Sequence, residues 1–166
     1  MKKNILGEIT QVKSKNFNTL AEAGVRIYQG DLFAECFGDI AEVTVDATVA
    51  LVTQPLLSPV TSLEIIPAVE ANQLIAGIGK NQLAWFLLNN RGCDGWFVAH
   101  VIDKVRTKED EEHSFAGEDG ERLVLRSVDF DWNDDEWHLN ANRVSNPYQW
   151  FAGRQVLSRN SSVPQS

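Results

Sequence analysis

The chain holds two cysteines, Cys36 and Cys93, with no CxxC and no paired Cys/His spacing, which excludes a disulfide framework and the common zinc motifs. It also lacks a long apolar run. Its most apolar part, Ala68 to Leu88, is broken by Glu70, Asn72, Lys80 and Asn81, well short of the ~18 uncharged residues of a spanning helix. Between Asn4 and Gln11 only Ile5, Leu6 and Ile9 are large and apolar, and Glu8 interrupts them, so a signal-peptide core is not expected. These absences set the expectation of a cytoplasmic, prokaryote-like protein with reduced thiols and no membrane partner. Catalytic signatures are missing too. Gly77, Ile78, Gly79, Lys80 superficially suggest a phosphate loop, but Leu74 and Asn81 stand where a Walker loop needs Gly and Ser or Thr, and Gln82 stands where a dinucleotide fingerprint needs its third Gly. There is no Gly-x-Ser-x-Gly elbow, and no cofactor is expected.

What is present is ordinary globular material, 166 residues with 43% hydrophobic and 23% charged side chains. A chain of this length buries roughly 70% of its unfolded surface and needs no metal or disulfide to fold. The charge is unevenly placed. Between Asp103 and Glu136 stand 13 acids and 5 bases, so this segment carries the whole net charge of −8. The last thirty residues hold Arg143, Arg154 and Arg159 and no acid. Such a balance disfavours nucleic acid as a partner.

The pattern predicts one α+β domain over 1–158, with two antiparallel meanders, about 25–53 and about 96–145, around a central helical hairpin at about 67–91. In the first meander, turns at Gly30-Asp31 and Gly38-Asp39 would set Ile27 against Ala34 and Cys36 against Ala41. A short strand is expected over 60–66, then a helix opened by Pro67 and ended by Gly77, then a second helix capped by Asn81 and ended by Gly92. The last hairpin is the best specified: Trp132 would face Trp137, Phe130 Leu139 and Val128 Ala141, with Asp131 against His138 on the other side. An acidic loop is expected at 107–121 and a flexible tail at 159–166.

Five groups of residues invite a functional reading. Glu109, Asp110, Glu111, Glu112, Glu118 and Asp119 form an acidic surface able to imitate phosphates and attract a basic protein, the simpler account being a solvated loop. Trp85, Phe86, Trp96 and His100 would line a ligand pocket between sheet and helices. Asp129, Asp131 and Asn133 have the alternating oxygens that open a calcium loop, but Asp134 and Asn140 replace its required Gly and Glu, so a solvated strand face is favoured over a metal. Asp131 and His138, with His100 on the neighbouring strand, are a candidate base or metal site, the simpler account being an exposed His beside an Asp. Tyr148, Trp150 and Phe151, with the arginines around them, could anchor a homo-oligomer or simply cover the sheet.

The leading expectation is a non-catalytic protein that binds a macromolecular, basic partner through its acidic surface, in the manner of an inhibitor or immunity factor. The alternatives are a small-molecule-binding protein or enzyme with an aromatic-lined pocket, and a structural subunit of a homo-oligomeric assembly.

Overall fold

The structure, a computed structural model, describes residues 5–11, 18–46 and 50–160. Two short strands come first, β1 (Thr10–Gln11) and β2 (Ile27–Gln29). The chain then enters α1 (Asp31–Phe37), where the sequence pattern predicts a second strand. Gly30 and Gly38 flank this helix with φ of −67° and −60°, so neither takes the left-handed backbone of a two-residue hairpin turn. Its buried residues Phe33, Cys36 and Phe37 have the i, i+3, i+4 spacing of one helix face, and Asp31 lies in the first turn, where the helix dipole favours an acid. The meander expected over 25–53 is therefore not what the described residues form. Ile27 pairs in parallel with Trp137 rather than facing Ala34. Residues 47–49 of that span lie outside the described residues.

After β3 (Leu51–Pro55), α2 (Ser62–Ala71) replaces the strand expected at 60–66. Thr61 sets its start: the backbone N–H donates to the Glu64 carboxylate at 3.0 Å, as in the Thr-x-x-Glu capping box. Pro67 thus sits inside the helix and not at its first position. Two short strands, β4 (Leu74–Ile75) and β5 (Gly77–Ile78), separate α2 from α3 (Lys80–Asn89). Gly79, not Asn81, caps α3, and the Asn81 side chain donates to the Thr44 carbonyl at 2.7 Å. The helical hairpin expected at 67–91 is corrected accordingly. Ile65 and Val69 of α2 pack with Val98 and Val156, while Leu83 to Leu88 of α3 pack with Phe97, Ala99 and Leu157. Successive strand residues point to opposite faces, so the two helices cover opposite sides of one sheet.

The second half supplies the sheet's centre. β6 (Trp96–Lys104) leads through a 3-10 turn, η1 (Lys108–His113), and β7 (Phe115–Ala116) into β8 (Arg122–Asn133) and β9 (Glu136–Arg143). β6, β8 and β9 are antiparallel, with Trp132 opposite Trp137, Phe130 opposite Leu139 and Val128 opposite Ala141. The tail expected at 159–166 begins inside a strand: β10 (Gln155–Asn160) lies between β3 and β6, and residues 161–166 lie outside the described residues. The result is a mixed α+β sheet in the order β1-β3-β10-β6-β8-β9-β2. Its α3 side is held by Phe86, Phe97, Phe130 and Trp137, whose ring centroids lie 5.2–6.3 Å apart. The Trp137 indole N–H donates to the Leu87 carbonyl at 2.9 Å, which satisfies the one polar atom of the buried ring. Each such ring contributes on the order of 1.5–3 kcal/mol by burial alone.

Candidate binding face

Alternation along β8 and β9 leaves one side of their pairing dry and the other open. Val128, Phe130, Trp137, Leu139 and Ala141 point to α1 and α3 and are buried. The intervening residues Asp129, Asp131, His138 and Asn140 look the other way and are half-buried or exposed. The registers align one row across four strands: Trp96 opposite Asp131, Asp131 opposite His138, and His138 opposite Tyr28. At about 4.8 Å per strand the row is ~14 Å long. Its two ends are aromatic and lie open, Trp96 at 55% and Tyr28 at 57% exposure. The next row sets Val98, Asp129 and Asn140 side by side.

Arg154 closes one edge of this face. Its guanidinium carbon lies 5.2 Å from the centre of the Trp96 ring and 4.9 Å from that of Trp150, and Nη1 is 4.0 Å from the Asp129 carboxylate. Burial pushes the Asp129 carboxyl above its usual range, and the Arg154 charge only partly opposes it. The β8–β9 turn at the far end carries Asp134 and Asp135, both left-handed with φ of 53° and 60°. Glu136 beside them pairs with Arg26 at 3.7 Å.

Asp131 and His138 are neighbours in register, but the imidazole turns away. Its Nε2 lies 3.2 Å from the Asn133 carbonyl and 3.5 Å from Glu136. His100 does not join them. It is opposite Ser127, four residues along β6 from Trp96 and so ~13 Å from the row. It is fully buried, neither ring nitrogen has a hydrogen-bond partner, and burial pushes its pKa down to about 4. Among the described residues no three His, Cys, Asp or Glu side chains are grouped closely enough to hold a metal ion. Asp129, Asp131 and His138 share a face without forming such a group.

The aromatic pocket expected from Trp85, Phe86, Trp96 and His100 is not assembled. Trp85 and Phe86 are buried on the α3 side, whereas Trp96 and His100 face the α2 side. The acidic surface is also smaller than its sequence. Asp110 is buried and takes two hydrogen bonds from Arg126, at 2.7 and 2.8 Å, so it is not part of any surface. Glu109 pairs with Arg143 at 2.9 Å. Glu111, Glu112, Glu118 and Asp119 remain exposed. Of the tail aromatics, Trp150 is buried, its indole N–H donating to Ser62 Oγ at 3.0 Å, while Tyr148 and Phe151 stay exposed.

The thiols are poor nucleophiles. Burial first, and then Asp103, pushes Cys36 up to about 11, and burial also raises Cys93. Lys80, the lysine of the phosphate-loop resemblance, is bound by Asp39 at 2.8 Å. Tyr28 is not singled out by the sequence, because it falls in a hairpin that does not form. Arg154, which the sequence groups with the tail aromatics, does lie over Trp150, but tertiary packing alone brings it to Trp96.

No protein-family model, no curated protein and no solved structure matches the chain significantly.

Proposed function

We propose that this chain is a non-catalytic binding protein that takes a basic macromolecular partner on the open face of β6, β8, β9 and β2. The observation that carries the reading is the row Trp96, Asp131, His138, Tyr28, in which two exposed aromatic rings flank a carboxylate and an imidazole. Exposed aromatics supply contact area at low entropic cost, and carboxylates between them select Lys or Arg. Asp129 behind the row and Asp134 and Asp135 at the turn extend the same sign of charge. An inhibitor or immunity-type role is the natural use of such a face, since an acidic surface with aromatic anchors covers a basic one. The acidic loop then acts at a distance through Glu111, Glu112, Glu118 and Asp119, as long-range attraction and not as contact.

The test titrates Lys/Arg-rich peptides into isotopically labelled protein and maps the perturbed amides and indoles. The reading expects shifts at Trp96, Tyr28 and Asp131 that weaken with salt and vanish in the variant Trp96→Ala with Asp131→Asn. Shifts confined to 107–121, or peptide affinity unchanged by that variant, would overturn it.

A further inference from the structure

The α2 side of the sheet carries a second feature at the opposite end of β6 and β8. A groove of about 560 Å³ opens between α2, β5, β7 and the two central strands. That volume lies within the range of small-molecule sites. Ile102 and Leu125 come to it from the sheet, Leu63 and Ile66 from α2, and Phe115 from β7. Leu63 and Phe115 are large apolar side chains left 43% and 38% exposed where they line it.

Arg159 also lines the groove, and its contacts are weak. Its guanidinium reaches two backbone carbonyls, Gly77 at 3.4 Å and Asn160 at 3.5 Å, and among the described residues it has no carboxylate partner. Every other arginine brought inward by the fold has one: Arg106 and Arg126 share Asp103, and Arg154 approaches Asp129. A half-buried guanidinium beside an apolar cavity is matched to a carboxylate, which it binds through paired N–H donors. Glu70 and His113 lie in the lining as well, Glu70 at no ion-pair distance from Arg159, so a second anionic group placed near Glu70 would be repelled.

We propose that this groove binds an apolar monocarboxylate, aliphatic or aromatic, about the size of octanoate. Its carboxylate sits on Arg159 and its hydrocarbon part lies between Leu63, Phe115 and Leu125. The site is separate from the open face and does not depend on the function proposed for that face.

The experiment titrates octanoate, octanol and suberate into the labelled full chain. Octanoate is expected to shift Leu63, Phe115 and Leu125, with octanol and suberate at least tenfold weaker. Two CH₂ groups added to the acid tighten it roughly tenfold. Arg159→Gln removes the preference for octanoate over octanol. Because Arg159 lies in a central strand, two further variants guard the test. Gly77→Ala builds a methyl 2.9 Å from Leu125 Cδ2 on the groove wall, and Phe115→Glu places an acid at its exposed lip. Both should weaken octanoate tenfold or more without changing the fold. No octanoate shift up to its solubility, equal affinity for octanol, or octanoate binding untouched by these variants would overturn the proposal. Shifts at Trp96 and Tyr28 instead would assign the acid to the open face and overturn it equally.

Discussion

Arg126 holds Asp110 from both sides of its carboxylate, Nη1 to Oδ1 at 2.7 Å and Nη2 to Oδ2 at 2.8 Å, with both side chains almost wholly buried. Asp110 also accepts the backbone N–H groups of Arg106 and Thr107, at 2.9 and 3.1 Å. Arg126 reaches Asp103 through Nε at 3.0 Å, and Arg106 closes the set on Asp103 at 2.8 Å. Two carboxylates and two guanidinium groups thus neutralise one another where η1 folds back on β8. An acidic run that composition alone reads as a loose loop is anchored through its second acid.

Asp110→Asn keeps the shape of that anchor but removes the paired acceptor of Arg126, leaving one buried carboxylate, Asp103, to serve two guanidinium groups. Breaking a buried pair in this way destabilises by about 3–5 kcal/mol, whereas Glu111→Gln or Glu112→Gln on the exposed side of the turn should change stability by no more than ~0.5 kcal/mol. Urea unfolding at neutral pH separates the two cases. Equal, small effects from all three substitutions would show that Asp110 does not anchor the turn.

The same pair sets an acid response. The hydrogen bonds from Arg126 hold the Asp110 carboxyl well below the usual carboxylate range, even though burial opposes them. Its stabilisation is therefore complete above the unfolded value of about 3.9 and is withdrawn as pH falls below it. Stability measured between pH 5 and pH 2 should fall steeply in the natural protein and less steeply in Asp110→Asn.

His100 makes a separate and earlier contribution. Burial lowers it from 6.5 to about 4, so the folded protein keeps it neutral while the unfolded chain takes a proton. Stability should decline as pH falls from about 6.5 to 4 by a few kcal/mol, and then level off as far as this residue is concerned. His100→Leu abolishes that decline. It also removes two buried nitrogens without hydrogen-bond partners, so it should stabilise the protein at pH 5. A pH profile of urea midpoints identical to that of the natural protein would mean the ring is not held neutral.

The β8–β9 hairpin could be read from the sequence because strict alternation over eight or more residues admits one register, and a slip by one would expose Phe130 and Trp137. Residues 31–37 were ambiguous: Phe33, Cys36 and Phe37 satisfy a helical period, while their neighbours also fit alternation, and the capping geometry of Gly30 decides it. Thr61 and Glu64 carried a readable capping signal for α2 that Pro67 obscured, since a proline suggests a first turn more readily than a sixth residue. β10 offered little, being a short strand buried on both faces and rich in polar residues. The candidate face was half legible. Asp131 and His138 came together through local pairing, whereas Tyr28 and Arg154 reach the face through contacts distant in sequence.

The turn Asp134-Asp135 joins stability to the proposed binding. A two-residue turn with both residues left-handed prefers Asn-Gly or Asp-Gly: Asp tolerates the first position as Asn does, but at the second, where Asp135 stands, only Gly takes this backbone free of a cost of roughly 1 kcal/mol. Asp134→Asn with Asp135→Gly should therefore raise stability by roughly 1 kcal/mol, read as a higher urea midpoint with an unchanged slope. The same change removes two carboxylates from the end of the open face. Acids at a rim act mainly on the rate of encounter, so association with a Lys/Arg-rich peptide should slow and lose much of its salt dependence while dissociation stays the same. A stabilised variant that associates as fast as the natural protein would place the acidic turn outside the binding face and confine recognition to the row from Trp96 to Tyr28.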